Sequence, residues 1–574
     1  MIRNRELALF FEKLASMLSL QNANPFRIRA YRNAANTVLR WPEELGSYFE
    51  RWGKLPKMPG IASDLSSKLM ELIQTGHLGL LEQLEKSIPS SLLDLLDLEG
   101  LGPHRVTQIW KQLGVTTMEG LQLAASQGLI KRIPGFGPVL EKRILDLLNS
   151  RVGKPIRHSQ WVAEDLFLNL KNEFEKKNVP CMLLPAGSLR RGRDTVGDVD
   201  VLALTRSRKR VLQVFREFSK ESVVIASGIE KITIRTPEKI QLDLRIVDEE
   251  SAGAAWIYFT GSKSHNIALR KIAIQQGWKL NEYGLYQGDQ KIAGKTEDEV
   301  YRQLGLDWIP PEIREDQGEI EAAQEHRLPH LIENHLLVGD LHMHTMASDG
   351  HDSILSMAEA AIKKGYSYIA ITDHSRKLRV ANGLDRKKLL LQYRQIDRLN
   401  QQLFPFRILK GVEVDILKDG SLDLDDLILK KADVVVASIH DHFGLGRKEQ
   451  TDRLLKAMEH PHFHILGHPS TRLIGKRESI DFDFDRICQV AVQYGIALEL
   501  NAQPDRLDLN GEQVRIAKKA GVLFSIATDA HSVTELNWMR FGIQQARRGW
   551  IEKKEVLNAF PLDQLLKHLQ KRLP

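Results

Sequence analysis

Apolar residues recur at helical spacing through the first 150 positions, beginning with Leu7, Phe10, Phe11, Leu14 and Leu18. That period predicts amphipathic helices joined by short turns. A further helix is expected over 155–180, followed by a short strand at 181–184. Beyond residue 185 the texture becomes α/β, with strands predicted near 199–203, 223–225, 231–234 and 241–246. Residues 307–325, with Pro310, Pro311 and many charges, read as a linker. After Val338, apolar runs at 368–371, 434–437, 465–466, 497–500 and 523–526 alternate with helical stretches. This repetition predicts parallel strands in a barrel, with chemistry at their C-terminal ends.

A small unit recurs three times in the helical region, as Met58-Pro59-Gly60-Ile61-Ala62, Glu99-Gly100-Leu101-Gly102-Pro103 and Ile133-Pro134-Gly135-Phe136-Gly137-Pro138. Helices are predicted after each, at 65–73, 106–113 and 139–148. Glycine lets a hairpin backbone approach closely, and the free N–H groups of the next helix favour a phosphate. Three copies point to a grip on a nucleic-acid backbone that does not depend on base sequence. They resemble helix-hairpin-helix DNA-binding motifs, with Ala62 where the second glycine of the first copy would sit.

Asp198 and Asp200 are two apart on a predicted strand, so both carboxylates point to one face. Asp243, in the middle of a later strand, completes a set able to hold a pair of Mg²⁺ ions. Upstream, the Gly187-Ser188 turn offers backbone N–H groups, and Arg190 and Arg191 offer charge, to a triphosphate. Gly187-Ser188 followed by Asp198-x-Asp200 resembles the nucleotidyltransferase signature. With Tyr258-Phe259-Thr260-Gly261-Ser262 and Leu280-Asn281-Glu282-Tyr283-Gly284-Leu285, the stretch resembles family X DNA polymerases over roughly residues 1–310.

The resemblance implies that Asp198, Asp200 and Asp243 hold two metals, with Asp243 helping to activate the primer 3′-hydroxyl. Gly187, Ser188, Arg191 and Gly197 would hold the triphosphate. Tyr258, Phe259 and Gly261 would line the sugar site, while Asn266 and Arg270 would face the nascent base pair and template. Gln241 stands where the eukaryotic branch places arginine, and Lys263 replaces an acidic residue beside the incoming base. Lys68 aligns with a Schiff-base lysine of beta-type enzymes. Its neighbours Asp64, Ser66 and Ser67 do not build the environment such a nucleophile needs, and a solvated helix lysine is the plainer reading.

A second group of residues follows predicted strands after Val338. His342 and His344 alternate, which on a strand projects both imidazoles to one side. Ser348-Asp349-Gly350, Asp373-His374, Glu413-Val414-Asp415, His440, His468, and Asp529-Ala530-His531 come after them. Histidine with carboxylate suits Zn²⁺, Mn²⁺ or Fe²⁺ rather than Mg²⁺ alone. His460, His462 and His464 also alternate, but without an acidic partner in sequence they read as an ordinary loop or strand face. The set resembles the polymerase-and-histidinol-phosphatase (PHP) domain, a distorted barrel with a trinuclear metal site. That resemblance implies ligands at His342, His344, Asp349, His374, Glu413, His440, His468, Asp529 and His531, with Glu413 and His440 central to catalysis. Arg472 or Arg379 is a candidate for binding phosphate.

Composition adjusts this picture only in places. At 574 residues the chain suits about three or four domains. Residues 1–300 hold 43 Lys and Arg against 35 Asp and Glu, and 13 of the 19 histidines follow residue 330. A basic first half suits a polyanion. Two cysteines, Cys181 and Cys488, exclude a disulfide framework and suit a reducing cytoplasm, and no apolar run is long enough for a membrane; a monomer is the default expectation.

The combined resemblance implies a multidomain chain. An all-α helix-hairpin-helix region would span 1–85 and 86–153, with a nucleotidyltransferase palm over 154–255 and a thumb over 256–310. A linker over 311–335 would lead to a distorted (β/α)7-type PHP barrel over 336–574. The implied function is gap filling on gapped or recessed DNA with deoxynucleoside triphosphates and Mg²⁺. The PHP domain would use Mn²⁺ or Zn²⁺, three ions in all, for 3′→5′ exonuclease, 3′-end cleaning and abasic-site cleavage. The alternatives are a PHP phosphatase for small esters fused to the polymerase, and a DNA-end-binding scaffold with vestigial catalysis.

Overall fold

The computed structural model describes residues 4–570 apart from 40, 42, 59, 97, 99, 152–156 and 379–380. Pro59, Glu99 and Arg379, singled out above, lie outside the described residues. The chain forms two compact units, Met1–Pro155 and Ile156–Pro574.

The first unit is helical. Leu7, Phe11, Leu14 and Leu18 of the helix Asn4–Leu20 are all buried and pack with Tyr31, Val38, Leu69 and Leu72. A second cluster gathers Leu92, Leu95, Val106, Ile109, Leu121 and Ile144. The three hairpins precede the helices Ser63–Thr75, Pro103–Leu113 and Pro138–Arg151. Gly60, Gly100 and Gly135 have φ of +70°, +88° and +85°, a region that L side chains enter at a cost. The first glycine of each hairpin is therefore fixed by the turn itself. Lys68 departs from the solvated reading: its side chain is only 15% exposed and ion-pairs with Asp64 one turn earlier.

The second unit begins with a five-stranded sheet in the order Met182–Pro185, Asp198–Leu204, Gln241–Val247, Lys231–Arg235, Val223–Ser227. Asp198–Leu204 and Gln241–Val247 run parallel, with Asp200 opposite Asp243, while the other pairs are antiparallel. Two helices, Ala252–Thr260 and Lys263–Gln275, then lead to a three-stranded antiparallel sheet and the helix Glu297–Gln303.

The segment expected as a linker is packed instead. Ile309, Ile313, Ile320, Ala323 and Leu331 join the core beneath the helix Lys263–Gln275, and Arg314 is fully buried. Two of its charges, Arg314 and Glu319, are paired inside. Arg314 and Arg190 both grip Glu297, at 2.8 and 2.6 Å.

Seven parallel strands follow in sequential order, at Gly339–Asp340, Tyr368–Ile371, Arg407–Asp415, Val434–Ser438, Ile465–Leu466, Ala497–Asn501 and Phe524–Ala527. Most of their residues are buried, as expected of a parallel sheet covered on both faces. The first and last strands meet through the Met343–Ala530 bridge and the Thr528 hydroxyl, which donates to Asp340 Oδ2 at 2.6 Å. The sheet is thus a nearly closed seven-stranded barrel.

Polar contacts tie the five-stranded sheet's domain to this barrel. Arg472 meets Asp194 at 2.8 Å, Arg540 meets Glu164 at 2.9 Å, and Arg547 meets Glu312 at 2.7 Å. Among the described residues, no helix is long and apolar enough to cross a membrane.

Burial alone would raise the Glu297 pKa, but Arg314 and Arg190 bring it down to about 2. Glu297→Gln leaves two guanidinium groups facing a neutral amide and should cost about 3–5 kcal/mol of stability at neutral pH. Because the folded pKa lies below the model-peptide value of 4.5, the ionic contribution is complete above that pH and is lost as pH falls towards 2. Thermal unfolding of both proteins from pH 7 downwards should show their difference shrinking only below about pH 4.5.

Candidate active sites

The first site grows out of strand register. Asp198, Asp200 and Asp243 bring carboxylate oxygens within 4.8 Å of one another. Burial, then Asp198 and Asp243, push the Asp200 pKa up to about 7; burial and Asp243 also raise that of Asp198. Crowding of this kind favours a divalent cation among the oxygens. The Thr233 hydroxyl donates to Asp243 Oδ1, and Gln241 Nε2 donates to Oδ2 at 3.1 Å, fixing the carboxylate. Gln241, noted as a departure from the eukaryotic pattern, thus touches the site directly. Gly187 has φ +57°, and a Cβ there would overlap Asp200 Oδ2. Only glycine brings the Gly187–Arg190 turn this close to the aspartates.

The two arginines of that turn diverge. Arg190 is nearly buried, doubly bonded to Glu297 and stacked 3.4 Å above the Trp256 ring. It is a structural cation, turned away from the triphosphate role that its place in the sequence suggests. Arg191 reaches the carbonyl of Thr260 and Glu315 Oε1, the latter at 3.2 Å, so it stands beside Gly261. Ser188 and Gly197 flank the same loop. Tyr258 and Phe259 meet edge to face at 5.0 Å. Asn266 Nδ2 donates to the Tyr258 carbonyl at 2.7 Å, and Arg270 Nε to the Asn266 carbonyl at 3.2 Å, so these expected nucleotide contacts form one connected group.

The second site lies at the barrel's C-terminal end. Three ligand groups emerge: His344, Asp349, His374 and His531; His342, His344 and Asp529; and His374, Glu413 and His440. His468 joins through Glu413 Oε1 at 3.0 Å, so all nine expected residues converge. Glu413 is central, with His374 Nδ1 2.7 Å, His440 Nε2 3.4 Å and His342 Nε2 3.5 Å from its oxygens. Two strand expectations change. The first strand ends at Asp340, so His342 and His344 follow it, while Glu413 and Asp415 lie within the strand Arg407–Asp415 rather than beyond it. The imidazoles still converge, with ring centroids 5.1 Å apart.

Two buried imidazole atoms of the set, His344 Nδ1 and His468 Nδ1, lack hydrogen-bond partners. Burial, with His531 and His374 nearby, lowers the His344 pKa to about 4 and keeps its lone pair free. Imidazole nitrogens and carboxylate oxygens converging in this way are a donor set suited to metal ions.

Buried partners not evident from the sequence hold these ligands. Glu499 accepts from His342 Nδ1 at 2.6 Å, from the His468 backbone N–H at 2.6 Å and from Asn501 Nδ2 at 3.1 Å. Asn501 also donates to Asp529 Oδ2 at 3.0 Å, and His440 Nδ1 lies 2.9 Å from Asp415. A signal existed: Glu499 and Asn501 interrupt an apolar strand at a spacing of two, placing both on one face. Thr233 gave none, because its contact depends on cross-strand register.

Two further expectations change. Arg472 is committed to Asp194 and to the carbonyls of Arg506 and Leu507, so it is a strut rather than a phosphate ligand. His460 does find an acid, Asp426, at 2.9 Å, and His464 Nδ1 accepts the Val435 N–H at 3.0 Å; neither belongs to a metal group among the described residues.

Comparison with known proteins agrees with this geometry. Residues 2–78 match the helix-hairpin-helix domain and 92–149 the SAM-like helix-hairpin-helix tandem. Residues 255–315 match the DNA polymerase beta thumb and 340–503 the PHP domain. The chain is 39% identical to the DNA polymerase/3′-5′ exonuclease PolX of Bacillus subtilis (strain 168), over 97% of this chain and 98% of that one. It is 31% identical to a probable phosphatase of Thermoanaerobacter sp. (strain X514), over 39% of this chain and 90% of that protein. DNA polymerase lambda of Rattus norvegicus is 25% identical over 53% of this chain and 55% of its own. With two metal-ligand centres in place and near-complete coverage of the Bacillus protein, the chain belongs to the family X DNA polymerases that carry a C-terminal PHP domain.

Proposed function

We propose that the chain fills short DNA gaps at the three-aspartate site and trims 3′ ends by hydrolysis at the PHP site. The observation that carries this reading is the presence of both complete donor sets in one chain: Asp198, Asp200 and Asp243, and the nine histidines and carboxylates of the barrel. Three acidic oxygens suit Mg²⁺ arriving with a nucleotide, whereas the histidine-rich set suits Mn²⁺ or Zn²⁺, three ions matching its three ligand groups. Bound ions of this kind polarise a phosphate and activate an attacking oxygen.

The chain's own residues do the rest. Thr233 and Gln241 hold Asp243 in one orientation, ready for the primer 3′-hydroxyl. Gly187 and Ser188 bring backbone N–H groups beside the aspartates, and Arg191 adds charge for the triphosphate. Tyr258, Phe259 and Gly261 bound the sugar, with Asn266 and Arg270 towards the base pair. In the barrel, Asp415 and Glu499 orient His440 and His342 by occupying their outer nitrogens. A second reading, hydrolysis of small phosphate esters by the PHP site, is favoured by the likeness to the Thermoanaerobacter phosphatase over most of that protein's length.

Asp243→Ala should abolish primer extension on a gapped duplex while 3′-end trimming persists, and His440→Ala should do the reverse; parallel assays on labelled DNA would reveal the split. Trimming that survives His440→Ala, or extension that survives Asp243→Ala, overturns the corresponding assignment. Glu499→Gln removes the anchor of His342 and His468 and should weaken metal retention by about 10–100-fold. Elemental analysis after dialysis against graded chelator measures this without reference to activity.

A further inference from the structure

One cation beside the PHP ligands serves none of the roles above. Arg506, in the loop after the strand Ala497–Asn501, places Nε 4.0 Å from Asp529 Oδ2. Its Nη1 is buried and has no hydrogen-bond partner. Its backbone is pinned from below, because Arg472 Nε donates to the Arg506 carbonyl at 2.8 Å. The loop after Ile465–Leu466 supplies Arg477, whose Nε donates to the Thr471 carbonyl at 2.8 Å and whose guanidinium lies 4.0 Å from the Phe443 ring centroid. Burial and the charge of Arg506 lower the Arg477 pKa to about 10, which leaves it a cation at neutral pH.

The second of these loops also contains Thr471 Oγ1, buried and unpartnered. Thr471 and Leu507 have φ of 55° and 46°, the left-handed region that non-glycine residues rarely adopt. Strain and unmet donors concentrated beside a ligand set are characteristic of a binding surface. A buried guanidinium donor is costly without an acceptor, and a phosphate oxygen is the acceptor it fits best.

We propose that Arg506 binds the phosphodiester on the 5′ side of the one being cut, so that the PHP site selects a polynucleotide 3′ end over an isolated phosphate ester. The direction follows from chemistry: at a 3′ terminus, the only neighbouring phosphodiester lies on the 5′ side. The proposal rests on the trimming activity proposed above.

The test uses the full chain loaded with Mn²⁺ and two single-stranded oligonucleotides, one all-phosphate and one with a neutral methylphosphonate at the second linkage from the 3′ end. Removing that charge should lower kcat/KM of the wild type about tenfold or more, the loss of a charge-assisted hydrogen bond. Arg506→Met should show the same loss on the all-phosphate strand and no further loss on the modified one. Arg506→Lys, which keeps the charge but not the fork, should recover part of it. Metal content and unfolding midpoint identify a variant that fails to fold. In that event the wild-type comparison still decides: a wild type indifferent to the methylphosphonate overturns the proposal, as do additive losses in the variant. A wild type that hydrolyses bis(p-nitrophenyl) phosphate but shortens neither oligonucleotide overturns the trimming reading itself, and this proposal with it.

Discussion

In a parallel ladder two strands distant in sequence lie side by side in a fixed register, and like charges can be held together only while that register holds. Asp200 faces Asp243 across such a pair, and seven parallel strands likewise deliver their ligands to one end of the barrel. Backbone pairing supplies the rigidity, because the side chains at both centres repel one another or compete for the same protons. The apolar residues between them, Val199, Val201, Leu242 and Leu244, are buried and lock the ladder from behind. Chemistry on one face therefore depends on hydrophobic packing on the other.

Charge compensation follows a consistent division. Cations that hold the scaffold are satisfied by carboxylates, as Arg190 and Arg314 are by Glu297 and Arg548 is by Glu315 at 3.2 Å. Cations placed for ligands retain unmet capacity, as Arg506 does at Nη1. Neighbouring arginines in sequence can nevertheless turn apart while each meets a carboxylate. Arg190 stacks inward on Trp256, whereas Arg191 turns towards Gly261.

Much of the architecture was legible because it rests on local chemistry. The hairpin glycines, the Asp198–Asp200 spacing and the ligand residues after the barrel strands each announce themselves over a few positions. What the sequence concealed depends on contacts distant along the chain. Residues 311–335 look like a linker because nothing local shows that Arg314 has Glu297 to meet. Arg472 looks free for phosphate because Asp194 lies 278 positions away. Glu499 was within reach, as a lone carboxylate in an apolar strand, although its service to both His342 and His468 required the fold.

The ion pair between Asp194 and Arg472 bears on what the chain could lose as well as on its architecture. Arg472 stands four residues after His468, and Asp194 four before Asp198, so one bond joins the loops that flank the two centres. Around it, Gln545 donates to the Gly192 carbonyl and Arg548 to that of Arg191, both at 3.0 Å. A surface that a solitary polymerase would leave to water has become interior here. Removing the barrel would leave Asp194 and Glu312 without the arginines that meet them, while Glu315 would keep Arg191. Truncation would therefore uncover carboxylates that the intact chain keeps paired.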